Sequence, residues 1–157
     1  MKMSRIGGLI AVAACVLTAV TLRASDMVGV YTVVEKVVLE PADAAPLRVQ
    51  IWGAFALSDQ KSGSTYGPAQ RGYLYYTCPA GQEAVCRREW DDLKSVAGKD
   101  IGVGFGQRYK ETGRIRKADD KPASPDVYPI DRGIVRLSAG HDSLPVIDRI
   151  KAALRAR

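Results

Sequence analysis

Histidine is nearly missing from this chain. A single one, His141, stands among 157 residues, so any imidazole base or imidazole metal ligand must be that residue. Its neighbours Asp142 and Ser143 complete the residue types of a hydrolase triad. Three adjacent residues cannot form that relay, whose members approach one another from separate parts of a fold, and no nucleophile elbow accompanies them. The segment reads better as a turn entering the last helix. Cysteine is also scarce, with only Cys15, Cys78 and Cys86. One histidine and two thiols are too few for a closed zinc site. The seven residues between Cys78 and Cys86 also exclude the Cys-x-x-Cys spacing of redox pairs. Asp119, Asp120, Asp126 and Asp131 lack the Asp-x-Asp-x-Asp-Gly spacing of a calcium loop, and Lys117, Lys121 and Arg132 among them indicate a solvated, charge-mixed loop. Gly102, Gly104 and Gly106 are not G-x-G-x-x-G and do not lead from a strand into a helix. They would instead form one bare strand face, packed by a ring or crossing strand of the same domain, with close approach of a ligand as the alternative. No cofactor or metal is expected, and an enzyme is not the leading reading.

What is present begins at the N-terminus. Lys2 and Arg5 precede an uncharged run from Ile6 to Leu22, the layout of a secretory signal peptide. Cleavage after Ala24 assigns residues 1–24 to the signal and 25–157 to one globular domain. The run is about as long as the shortest spanning helices, so an uncleaved membrane anchor is the alternative. Val12-Ala13-Ala14-Cys15 also looks like a relaxed lipobox, although apolar residues continue past Cys15. Each reading places the domain outside the cytoplasm, in the periplasm or extracellular space. The whole chain has 23 Lys+Arg against 17 Asp+Glu. Cleavage removes Lys2, Arg5 and Arg23 and leaves a net charge of +3, which serves solubility and argues weakly for nucleic acid. In an oxidising compartment Cys78 and Cys86 read as a disulfide, with two buried thiols as the alternative.

Most of the mature sequence alternates with period two. Val28 to Glu40 predicts a long strand, with Val30, Thr32, Val34, Lys36 and Val38 on one face and Tyr31, Val33, Glu35, Val37 and Leu39 on the other. Pro41 to Pro46 is a turn. Leu47 to Ser58 predicts a second strand, in which Gly53 marks a bend or close backbone approach. Asp59 to Arg71 reads as a loop, and Gly72 to Cys78 as a short third strand. From Gln82 to Ala97 the spacing becomes helical, with Cys86, Trp90, Leu93, Val96 and Ala97 in one stripe and Gly98 as a stop. Ile101 to Tyr109 is a fourth strand, 107–129 a charged loop, and Ile130 to Leu137 a fifth strand. A last helix spans about 143–156, with Ser143 as its cap and Leu144, Ile147, Ile150 and Leu154 aligned.

This order, β-β-β-α-β-β-α, resembles the OB fold across about residues 28–137. The resemblance implies a small OB-like barrel with a plugging helix; an α+β sheet is the alternative. The segments RVQIWGAFAL (48–57) and QRGYLYYTC (70–78) resemble a group of uncharacterised exported bacterial proteins, which implies export and no particular activity.

The candidate binding surface combines aromatic and cationic residues. Tyr73 and Tyr75 share a strand face opposite Leu74 and Tyr76, and Arg71 precedes them. Arg108, Tyr109, Lys110, Arg114, Arg116 and Lys117 crowd the loop after the fourth strand. In OB-like domains such faces bind oligonucleotides or oligosaccharides by stacking and cation contacts. Export argues against nucleic acid and favours a glycan, an anionic envelope polymer or an envelope protein. The alternative is that the tyrosines cover the core and the basic loop is merely solvated. The function expected is a non-catalytic extracytoplasmic binding or interaction module. A structural or accessory subunit of an envelope complex, docking through the last helix, is the second reading. A small hydrolase using His141 is the third.

Overall fold

A computed structural model describes residues 28–59, 65–105, 114–121, 124–130, 134–136 and 145–156. The N-terminal segment, Gly106, Arg108, Tyr109, Asp131, His141 and Ser143 lie outside the described residues. Two long hairpin partners dominate: β1 (Val28–Glu40) and β2 (Arg48–Asp59), joined by a turn over 41–46. Then come β3 (Thr65–Thr77), α1 (Glu83–Val96) and β4 (Gly102–Phe105), followed by the short strands β5 (Arg116–Lys117), β6 (Asp126–Val127) and β7 (Ile134–Arg136). Helix α2 (Pro145–Arg155) closes the order.

The sheet runs β5-β3-β2-β1-β4-β7, antiparallel along this path, with β6 parallel to the end of β3. It is open: β5 and β7 lie at opposite ends, so the expected OB-like barrel is not what these strands build, and the α+β alternative describes them better. The reason lies in the faces. A closed barrel packs one face upon itself, whereas here a separate helix packs against each face.

On one face Cys86, Trp90, Leu93 and Val96 of α1 meet Val30, Val34, Val49, Ile51, Phe55, Leu74 and Tyr76. Val103 and Phe105 of β4 join them. The helical stripe read from the sequence is therefore the core stripe, and α1 ends one residue before Ala97, whose N–H bonds the Leu93 carbonyl. On the other face Val146, Ile147 and Ile150 of α2 pack on Tyr31, Val33, Ala54 and Ala56. Of the expected stripe, Ile147 and Ile150 are thus buried on the helix's own sheet and Leu154 partly so, while Leu144 lies outside the described residues. Gly102 and Gly104 lie on this second face, in register with Val33 and Tyr31.

Three departures from the sequence pattern have local causes. First, the β1–β2 register shifts between Val34 and Lys36. The extra residue, Glu35, is a β-bulge that reverses the alternation. Beyond it Val37 and Leu39 join the α1 side, and Lys36 joins Trp52 on the other. Second, β3 starts at Thr65, not Gly72. Gly67 and Pro68 fall where the β2–β3 register slips between Phe55 and Leu57. There Gly67 takes φ 69° and the missing Pro68 N–H leaves no ladder bond unmade. Third, the expected loop after β4 contains β5 and β6. β5 can lie against β3 because Gly72 has no side chain: a Cβ there would collide with the Arg116 carbonyl. Gly53 admits the Val33 carbonyl in the same way, the close approach its position in β2 predicts.

A disulfide joins Cys78, just past β3, to Cys86 in α1, with Cα atoms 6.1 Å apart. Both residues are buried in the α1-side core. No helix among the described residues is long and apolar enough to cross a membrane.

Candidate functional site

Helix α2 covers only part of its face of the sheet. Past it, along the strands, comes a single cross-strand row: Lys36 on β1, Trp52 on β2, Tyr73 on β3 and Arg116 on β5, each paired with the next. Directly paired side chains on one face of a sheet lie close enough to stack. The Tyr73 and Trp52 rings are 4.5 Å apart and 23° from parallel. The Lys36 ammonium lies 4.5 Å from the indole centre. One indole face has no room for both at that distance, and they come from strands on either side. Tyr73 therefore backs one face and Lys36 covers the other.

The two covers are held differently. Tyr73 is 1% exposed, and its hydroxyl donates to the Asp120 carbonyl at 2.9 Å. Burial pushes its pKa above the usual tyrosine value, against the opposing pull of the Arg116 charge. Lys36 is exposed, and a cation–π contact at an exposed site contributes only about 0.5–1 kcal/mol. One face of the indole is thus fixed and the other is lightly covered. The indole N–H donates to Gln50 Oε1 at 3.1 Å, and Gln50 Nε2 donates to Glu40 Oε1 at 3.0 Å, so the ring is also held by its edge.

Beside the row, the bulge turns Glu35 toward Arg71, whose Nη2 donates to Glu35 Oε1 at 2.7 Å. Between Val33 of β1 and Arg71 of β3 the β2 residue is Ala54, small enough for the arginine to reach across. Both partners are partly exposed, so the pair adds little stability and stays within reach of solvent. Glu35, Lys36, Trp52, Arg71, Gly72 and Ala118 line a cleft of about 500 Å³, within the size range of small-molecule sites. A second cleft of about 370 Å³ beside Phe55, Leu57, Pro68 and Ile115 has no charged residue among its described lining residues.

The residues expected from sequence divide into four groups. Arg71 and Tyr73 belong to the Trp52 site, Arg71 as an exposed wall and Tyr73 as the buried backing. Tyr75, 5% exposed, and Arg116 are buried beside that site. The Arg116 guanidinium lies 5.9 Å from the Tyr75 ring, donates to the Ser124 carbonyl at 2.9 Å and pairs with Asp126 at 3.7 Å. These two anchor the β5–β6 segment and offer no open ring face. Arg114 is exposed at the entry to β5, and its N–H donates to Asp126 Oδ2. Arg108 and Tyr109 lie outside the described residues. Asp120 and Asp126, weighed for calcium, accept bonds from the Lys117 and Arg114 N–H groups. No group of three potential ligand side chains is assembled among the described residues.

Sequence reasoning missed Glu35, Lys36 and Trp52. The signal for Trp52 was available, because it lies on the even-numbered face of β2, opposite Val49, Ile51 and Phe55. The signal for Glu35 and Lys36 was not, since the bulge sets their faces. No known protein family, curated protein or solved structure matches this chain.

Proposed function

We propose that the chain is an exported, non-catalytic binding module that takes its ligand in the Trp52 cleft. One observation carries the reading: a tryptophan fixed by Tyr73 behind and Gln50 at its edge, with an exposed lysine over its other face. An aromatic side chain that merely filled the core would be enclosed, as Trp90 is at 0% exposure. Trp52 is partly exposed and opens on a cleft that carries both signs of charge. A preformed surface of this kind loses little conformational freedom on binding. Export rests on the N-terminal pattern of Lys2, Arg5 and the apolar run, and the disulfide supports it, since such bonds persist in oxidising compartments.

The test is an NMR titration of the purified protein with neutral glycans, acidic glycans, a polyanion and divalent cations, each added alone. Saturable shifts confined to Glu35, Lys36, Trp52 and Arg71 are expected for one ligand class. Shifts centred on another surface would move the site. A flat response to every class would leave the cleft without a ligand and remove the reading.

A further inference from the structure

We infer that the ligand of the Trp52 cleft is a saccharide, one sugar ring stacking on the indole face that Lys36 covers while its hydroxyls bridge Glu35 and Arg71. The inference rests on the binding-module reading above and narrows it to one chemistry. Three properties of the site converge on it.

The first is the surface. Tyr73 cannot yield, because it is buried and bonded to the Asp120 carbonyl, so a ligand must come to the Lys36 side. That face becomes available by rotation of one flexible, exposed side chain. A flat apolar surface bordered by polar groups matches a pyranose, which presents C–H groups on one face and hydroxyls around its rim.

The second is the donor and acceptor set. Glu35 supplies only acceptors, and Arg71 and Lys36 supply only donors. A hydroxyl is both, so neighbouring sugar hydroxyls can use the carboxylate and the guanidinium together. A polyanion can use only the cations and must face the Glu35 carboxylate, which lies 2.7 Å from the arginine. Among the described residues the lining holds one lysine, one arginine and one glutamate, a single net positive charge, too little to hold a string of phosphates or sulfates.

The third is room. Gly72 and Ala118 line the cleft, and neither β5 side chain is among its described lining residues. The cleft is an open groove at the sheet surface, which suits one unit of a longer chain.

The experiment titrates the full disulfide-bonded protein with neutral oligosaccharides of glucose, mannose or N-acetylglucosamine, and separately with polyphosphate, by calorimetry. Each titration is run at about 50 mM and about 200 mM salt. The inference predicts saturable binding of at least one neutral oligosaccharide, with less than a twofold change between the two salts. Polyphosphate binding would instead weaken steeply, as counterion release requires. Trp52→Ala should weaken the neutral ligand tenfold or more. Glu35→Gln should keep the fold, because the partly exposed Glu35–Arg71 pair adds little stability, and it separates the chemistries even if Trp52→Ala proves unstable. It should weaken a neutral sugar several-fold by removing the charged acceptor, and strengthen a polyanion by removing a repulsive charge. Salt-sensitive polyphosphate binding at Trp52, with no neutral sugar bound, would overturn the saccharide assignment and leave the cleft as the site. No binding of any probe would overturn the saccharide assignment and count against the binding-module reading too.

Discussion

Replacing Gly72 by alanine should detach β5 from the sheet. A methyl group there would run into the Arg116 carbonyl oxygen, with the carbonyl carbon 2.9 Å away and the Lys117 Cα 3.5 Å away. All three are backbone atoms, so no change of rotamer relieves the collision, and one strand must move. β3 is held along its length by β2, whereas β5 is only two residues long. Lifting β5 breaks its pairing with Gly72 and Tyr73 and pulls at the Tyr73 hydroxyl's bond to Asp120. At about 1 kcal/mol net for each hydrogen bond lost, the cost is about 2–3 kcal/mol. Urea unfolding followed by circular dichroism measures it, and NMR shifts at Arg116 and Lys117 locate it. Gly81→Ala is the control: its φ is 77° with nothing within 4 Å, so it should cost about 1–2 kcal/mol in backbone strain without moving the β5 resonances. A loss below about 0.5 kcal/mol in Gly72→Ala, with the β5 shifts unchanged, would refute the reasoning.

Other substitutions test the core. Replacing Cys78 and Cys86 together by alanine should cost about 2–3 kcal/mol, the chain-entropy value for so short a loop, read as a lower urea midpoint; an unchanged midpoint would deny the disulfide its stabilising role. The Tyr76 hydroxyl is buried without a hydrogen-bond partner among the described residues, whereas the Tyr128 hydroxyl donates to Glu89 Oε2 at 2.9 Å. Tyr76→Phe should therefore be neutral or stabilising by up to about 1 kcal/mol, and Tyr128→Phe destabilising by about 1.5–3 kcal/mol; thermal melts in the reverse order would contradict the assigned contacts. Burial pushes both hydroxyls well above the ordinary tyrosine range, with nearby Asp126 adding to the shift of Tyr76 and Glu89 to that of Tyr128. The folded state then holds protons that the unfolded chain releases above about pH 10. The stability from these groups is intact below that pH and is lost as pH rises beyond it. Tyrosinate absorbance should accordingly appear together with unfolding; ionisation of these tyrosines before unfolding would count against their burial.

The helices were the most legible part of the chain. Cys86, Trp90, Leu93 and Val96 repeat at helical spacing between a Pro-Ala-Gly break and Gly98, and each signal acts within a few residues of its cause. β1, β2, β4, β7 and the second half of β3 were legible as strands but not as partners, whereas β5 and β6 read as loop. Period two assumes an unbroken register, and one extra residue at Glu35 reversed the faces of the rest of β1. Gly67 and Pro68 read as a loop because their tolerance within β3 depends on a slip in the partner strand, which no local pattern records. Openness of the sheet was equally hidden, since it depends on which helix covers which face. The site followed the same division. Arg71 and Tyr73 came from one strand's alternation, whereas the row from Lys36 to Arg116 exists only once four strands are in register.

The most direct test of the binding account uses the two tryptophans of the chain. Trp52 lines the cleft, and Trp90 is buried on the opposite side of the sheet, so the two indole N–H resonances form a site probe and an internal reference. Titration with neutral oligosaccharides should move the Trp52 resonance along a saturation curve and leave Trp90 still. A Trp52 resonance that stays fixed at saturating sugar, or that moves only together with Trp90, would contradict binding at this cleft.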